Sequence, residues 1–235
     1  MSEILNMTSH ENETTKWHRE LDIFSKVKTG LILEGNVNDI YAVPQGEMSI
    51  YLQMTDYLHR FYEERGYQVI VDYTMINGFT ASSAEKLDAF CKLTGAKKEE
   101  NHVIADFSKP AGGTAEFIEK LIHQTQSASV VIMDMASRYI TSPDRLSKDE
   151  VQAFARIQRA MSGNNQARGA NGWQKNIIIM ICNKQNDLPA WFFLDNPNVK
   201  TIHVAYPNAS ERRMMVSGKR LQAFFDPIIY QTQIS

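Results

Sequence analysis

The chain has 235 residues, enough for one α/β domain with a sizeable core, and its 43% of hydrophobic residues is ordinary for a globular protein. Its net charge of −2 gives no overall attraction to nucleic acid or anionic membrane. No apolar run reaches the ~18 residues of a membrane span, and the polar, acidic start MSEILNMTSHENETTKWH is not a secretory signal. Cys91 and Cys182 lie in apolar surroundings typical of reduced, buried thiols. We therefore expect a cytoplasmic protein.

Helices and strands alternate along the first half of the chain, after a loose polar tail expected over residues 1–14. Apolar residues at helical spacing predict helices over 15–27, 49–65 and 81–94. Apolar runs predict buried strands over 30–35 and 67–74. Pro44 and Gly46 predict a loop between the first strand and the second helix.

The second half continues the alternation. Helices are predicted over 113–126 and 147–162, with a further helix after Pro207. Strands are predicted over 129–134, 176–182 and 199–206, and surface loops over 96–113 and 163–174. Because the strands are continuously apolar, we expect a mostly parallel sheet covered on both faces, which is a three-layer α/β fold.

Two apolar strands end on a short polar side chain. VVIMD ends on Asp134, and IIIMICN ends on Asn183. Ligands of open parallel sheets bind outside the carboxyl ends of the strands, so both side chains fall at the ligand edge. A carboxylate there can hold Mg²⁺, and an amide can orient water or contact a phosphate. Each signal alone is weak, because Asp and Asn also commonly begin loops.

Together these motifs resemble the α/β subdomain of an AAA+ ATPase, over roughly residues 25–220. VVIMDM resembles the Walker B motif, and IIIMICN resembles the strand called sensor 1. The start of the last predicted helix is similar to the family pattern P-x-x-x-E-R-R, with Pro207, Glu211, Arg212 and Arg213. The resemblance implies a P-loop NTPase-like sandwich over residues 15–235 with a mostly parallel five-stranded sheet in the order 5-1-4-3-2.

Three parts of the family's phosphate-transfer apparatus are missing. The phosphate loop G-x-x-x-x-G-K-[ST] is degenerate, because no lysine lies between residues 29 and 85. Met135 replaces the acid that usually follows the Walker B aspartate, and DNPNVK offers only Lys200 where an arginine finger belongs. The family's helical lid is also expected to be absent. These departures resemble the first module of tandem AAA proteins, in which a pattern like GNVND follows the first strand.

The resemblance and its departures imply a catalytically inactive module with a structural or regulatory role in an ATPase machine. The remnants of the nucleotide site are Gly35, Asn36, Asn38, Asp39, Asp134 and Asn183. Two interpretations of the loop remain open: its own side chains fill the phosphate site, or its amides still bind an anion. No cofactor is expected under the first, whereas the second implies an ATPase that binds ATP and Mg²⁺, with Asp134 as the magnesium ligand. A nucleic-acid-binding adaptor that uses the basic stretch 156–175 is a further alternative.

Partner contacts are expected from exposed cations and loop aromatics. The candidates are Arg156, Arg159, Trp173, Trp191, Lys200, Arg212 and Arg213. The partners implied by the resemblance are other AAA+ modules or like subunits, in a homo-oligomer or in the remainder of a longer chain. No membrane partner is expected, and the net charge gives no support for nucleic acid.

Overall fold

The computed structural model describes residues 15–45, 48–109, 111–163, 165–209 and 212. Its strands are β1 (Gly30–Gly35), β2 (Ile40–Gln45), β3 (Met48–Gln53), β4 (Val69–Thr74), β5 (Gly78–Ala81), β6 (Ser129–Met133), β7 (Gln166–Gly169), β8 (Gly172–Lys175), β9 (Ile177–Ile181) and β10 (Val199–Val204). Its helices are α1 (Lys16–Ser25), α2 (Met54–Glu64), α3 (Ala84–Thr94), α4 (Thr114–His123), α5 (Lys148–Ala160) and the short α6 (Ala190–Phe193). Two 3-10 turns, Ala136–Arg138 and Gln185–Asp187, follow β6 and β9.

The central sheet has six strands in the order β10-β1-β9-β6-β4-β5. The five long strands are parallel to one another, and β5 pairs antiparallel with β4 at the edge. The expected α/β class and the order 5-1-4-3-2 of the long strands are therefore confirmed. The sequence reading missed β5, because a four-residue strand with two buried residues is too short to give a periodic signal.

Helices cover both faces of the sheet, as the continuously apolar strands predict. On one face, α3, α4 and α5 pack Phe90, Leu121 and Phe154 against β residues such as Val131. On the other face, α1 and α2 pack with a second cluster that contains Trp17, Leu21, Leu58, Tyr62, Leu33 and Ile132. Alternate residues of the same strands thus contribute to two separate cores.

Local capping signals set the helix ends. Ser147 and Glu150 form a capping box at the start of α5, and Ser83 caps α3 by accepting from the Lys86 N–H. Gly95 ends α3 in the left-handed conformation, with φ of 75°. The helices that these caps bound, α3 and α5, lie within a few residues of the helices predicted over 81–94 and 147–162.

The predictions for residues 40–45 and 48–53 were wrong, whereas residues 36–39 form a loop as predicted. Residues 40–45 and 48–53 form an antiparallel hairpin, where a loop and the first turn of a helix were predicted. Ile50, Met54 and Tyr57 recur at a spacing that fits a helix, but the helix begins only at Met54. Pro44 lies within β2, which pairs only with β3 among the described residues. Proline is tolerated in such an edge strand, because one side of the strand forms no ladder bonds and needs no N–H donor.

Residues 163–174 were also misread as an exposed loop. Residues 166–169 and 172–175 pair as a second hairpin, β7–β8, beyond the amino end of β9. The predicted tail over residues 1–14, Gly46, Arg213 and nearly all of the last predicted helix lie outside the described residues.

Candidate functional site

The candidate site is the carboxyl edge of the three central strands β1, β9 and β6. These strands are adjacent and parallel, so Gly35, Asn183 and Asp134 come to the same edge. This topology puts Asp134 and Asn183, the two polar strand ends that the sequence predicts to share an edge, at the same edge of the sheet. The geometry around each residue determines what the edge can do.

The chain leaves β1 through a turn at Gly35 that requires glycine. Its φ of +97° is a conformation that residues with a side chain rarely adopt. A Cβ at this position would also lie 2.7 Å from the Val204 carbonyl oxygen and 2.9 Å from Cε1 of His203. Glycine therefore allows the turn to sit directly against β10, which brings the loop down onto the sheet edge.

The amides of Gly35, the last residue of β1, and of the next two residues donate to the protein's own carbonyl groups. The Gly35 N–H donates to the Asn183 oxygen over 3.2 Å, and the Asn36 N–H donates to the Val204 oxygen over 2.8 Å. The Val37 N–H donates to the Gly35 oxygen over 2.9 Å, and the Val37 side chain is buried in the core. A loop that cradles phosphate needs such amides to point at the ligand.

Side chains of the GNVND segment bond within the loop and across to β9. The Asn36 amide donates to Asp39 Oδ2 over 2.9 Å, and Asp39 Oδ1 accepts from the Ile40 N–H. The Tyr41 hydroxyl donates to the Asn36 carbonyl oxygen. The exposed Asn38 amide donates to Asn183 Oδ1 over 3.1 Å, and this bond links the loop after β1 to the residue that follows β9.

Asp134 is half-buried, and its Oδ1 accepts from the Met135 N–H over 2.7 Å. Burial raises the pKa of Asp134, and repulsion from Asp72 adds to the rise. Asp72 itself pairs with the buried His59, with 2.8 Å between His59 Nε2 and Asp72 Oδ2. In the described part of the chain, no hydrogen bond or ion pair joins Asp134 to the loop after β1.

Residues that the sequence reading did not single out connect the two 3-10 turns. Ser137 Oγ accepts from the Asn183 N–H over 2.8 Å and donates to Asp187 Oδ2 over 2.7 Å. Glu34 Oε2 accepts from the Gln185 N–H over 2.7 Å, which fastens the second turn to β1. These pairs are separated by 46 to 151 positions, so nothing in the local sequence signals them.

The candidate partner contacts are spread over several surfaces. Arg156 and Arg159 both bind Glu119, whereas Trp173 and Trp191 are 67% and 42% exposed. Lys200 lies in the edge strand β10, and its Nζ is 4.7 Å from the centre of the Phe24 ring. Arg212 donates to the Pro207 carbonyl oxygen, and Arg213 lies outside the described residues.

Neither a metal-ligand cluster nor a membrane-spanning helix is present among the described residues. No group of three or more His, Cys, Asp or Glu side chains in this part of the chain could hold a metal ion. None of its helices is both long and apolar enough to cross a bilayer.

The strand order, the two helical layers and the polar edge define a Rossmann-like α/β domain. The family described as AAA+ chaperone, N-terminal Rossmann-like domain, matches residues 8–205, which is well over half of the chain. The chain therefore belongs to that family, and the resemblance to AAA+ proteins is confirmed at that level. A sequence search of curated proteins found none that matches the chain.

Proposed function

We propose that this domain is a catalytically inactive AAA+ module that serves an AAA+ chaperone as a structural or regulatory assembly domain. Membership of the AAA+ chaperone family supports a role within such a machine. The inactivity is inferred from the edge of the sheet, where the chemistry of phosphate binding can be compared with the residues present.

The occupied amides of the first loop are the observation that carries the proposal. The N–H groups of Gly35, Asn36 and Val37 already donate to carbonyl groups within the fold. A triphosphate that used these three amides would have to displace their bonds, each a contribution of about 1 kcal/mol to stability, before gaining contact with them. The turn is fixed further by the close approach of Gly35 to Val204.

The charges of the loop also disfavour phosphate. The segment from Gly35 to Gln53 contains Asp39 and Glu47 but no Lys or Arg, so it lacks the cation that would neutralise β- and γ-phosphates. The helix that follows carries Asp56 in its first turn, where a phosphate would otherwise meet the positive end of the helix.

Phosphate release from ATP with Mg²⁺ tests the inactivity. We expect the wild-type protein and the Asp134→Asn variant to give the same background rate, because the aspartate has no bound nucleotide to act on. Asp134→Asn is a sensitive comparison, since removal of a catalytic metal ligand typically lowers turnover by orders of magnitude. A wild-type rate that is clearly above background and falls in the variant would favour the alternative of an active ATPase with a non-standard loop.

A further inference from the structure

Strand β10 forms an edge of the central sheet, because β1 is its single partner among the described residues. The carbonyl groups of Asn198 and Val204 accept hydrogen bonds from the β1 side. Alternate residues of a parallel strand bond to the same neighbour, so the even-numbered residues of β10 face β1. Thr201 and His203 therefore direct their N–H and C=O groups away from β1, where another strand can pair with them.

Helix α1 carries apolar side chains beside this edge. On the α2 side of α1, Asp22 pairs with Arg65 over 2.8 Å. On the other side of α1, the Phe24 ring lies 4.7 Å from Nζ of Lys200 in β10. The Val27 N–H donates to the Phe24 carbonyl oxygen, so Val27 lies one turn further along the same side, and it is 55% exposed. A strand added beyond β10 would cover this side of α1.

The two faces of β10 differ in polarity near the edge. Ile202 and Val204 are buried on the α1 face. The His203 side chain points to the opposite face, is 66% exposed and lies 3.5 Å from the Glu34 carboxylate. A strand that pairs with β10 must therefore be apolar on the α1 face and polar on the other.

The chain contains a segment with this pattern at residues 228–234, which lie outside the described residues. Its sequence IIYQTQI is rich in β-branched and aromatic residues and has no charge, glycine or proline. Alternation would put four side chains on one face of a strand, namely Ile228, Tyr230, Thr232 and Ile234. The other face would carry Ile229, Gln231 and Gln233.

The connection from β10 to this segment has the length that a parallel pair requires. Residues 205–227 exceed the dozen or so residues of a parallel crossover. The crossovers that run toward β10, from β6 to β9 and from β9 to β10, use α5 and α6 on one face of the sheet. A right-handed connection outward from β10 passes over that same face. Trp191 and Leu194 are 42% and 59% exposed there.

We propose that residues 228–234 pair in parallel with the free edge of β10, with their isoleucine and tyrosine face against Phe24 and Val27 of the α1 region. The segment then closes the edge within one chain, in place of a strand from a partner protein or from a second copy. The inference goes beyond the proposed function and does not depend on it, because it concerns the pairing of β10 and not the binding of a nucleotide.

Amide hydrogen exchange of the full chain, resolved by NMR, tests the pairing. We expect the Thr201 and His203 amides to exchange at least about a hundredfold more slowly than unpaired amides. Both should exchange at least about tenfold faster in the double variant Gln231→Pro with Thr232→Pro, because one of two successive residues directs its N–H at β10 in any register. The Ile202 amide, which faces β1, should stay within about threefold of its wild-type rate and so report that the fold is intact.

Gln231→Thr with Thr232→Val is the matched control for the proline variant. It changes the same two positions but keeps both N–H groups and favours a strand. Exchange of the Thr201 and His203 amides should therefore stay within about threefold of wild type in this control.

A second pair of variants tests the apolar contact with the α1 region. Val27→Gln should speed exchange of the Thr201 and His203 amides about fivefold, because it removes apolar surface that the segment covers. Val151→Gln is the control, since Val151 is an exposed valine of α5, 41% exposed, and its replacement should leave both rates unchanged.

Three results would overturn the proposal. Fast exchange at Thr201 and His203 in the wild type would leave the edge open to a strand from a partner protein. Slow exchange that the proline variant does not relieve would mean that another part of the molecule covers the edge. Protection that appears only where sedimentation shows a dimer would assign the edge to a second copy of the chain. Binding of ATP would contradict the inactive role without affecting these exchange rates, so the two proposals fail separately.

Discussion

Replacement of Gly35 by alanine tests whether the first loop is held against the sheet as described. The φ of +97° is unfavourable for alanine by about 1–2 kcal/mol. The new Cβ would also lie 2.7 Å from the Val204 carbonyl oxygen, a contact with backbone that cannot move without disturbing the pairing of β1 with β10. An overpacked contact of this kind costs about 1–3 kcal/mol, so we expect a total loss of about 2–5 kcal/mol.

Gly95→Ala is the matched control for this measurement. Gly95 also has a positive φ, 75°, but a Cβ there would meet no atom within 4 Å. It should therefore lose only the conformational part, about 1 kcal/mol. Urea unfolding followed by circular dichroism gives both free energies of unfolding. If Gly35→Ala is no more destabilising than Gly95→Ala, the loop does not press against β10 and the reasoning about the occupied edge fails.

Three further predictions concern the fold and the edge. Asn176→Ala should lower the free energy of unfolding, measured by urea titration, by about 2–4 kcal/mol. The Asn176 amide is fully buried, accepts from the Ser129 N–H and donates to the Ile122 and Gln124 carbonyl oxygens. A loss below about 1 kcal/mol would contradict that network. Ser147→Ala should cost about 1 kcal/mol by the same method through loss of the capping box, whereas an unchanged stability would show that the box is dispensable. Asp134→Asn should be more stable than wild type at pH 7. Burial raises the pKa of Asp134 in the folded state, so the ionised aspartate destabilises the fold and the neutral asparagine does not. The gain should disappear below about pH 4, where the wild-type group is protonated in both states. A gain that persists unchanged in acid would exclude this explanation.

The sequence predicted the long strands well because their information is local. Strands such as β6 and β9 are fully buried runs of apolar residues with polar breaks at both ends, so their length and composition suffice. The hairpin of residues 40–53 lacks that signal. Pro44 interrupts its first strand, and Ile50 continues the helical spacing of α2, so the local pattern favours a loop followed by a helix.

The site was predictable only in part, for a related reason. Asp134 and Asn183 reach one edge because parallel strands align their carboxyl ends, which requires no knowledge of side-chain contacts. The bond between Asn38 and Asn183 joins residues 145 positions apart and depends on the turn at Gly35. Of the two interpretations of the loop that the sequence left open, the engaged amides of Gly35, Asn36 and Val37 favour the closed one.

Isothermal titration of the protein with ATP and Mg²⁺ tests the central claim most directly. Because the amides of Gly35, Asn36 and Val37 are engaged within the fold and the loop has no lysine, we expect no saturable heat, which means a Kd weaker than about 1 mM. A saturable isotherm with a Kd tighter than about 100 μM would mean that the loop opens to receive a triphosphate, and it would contradict the account.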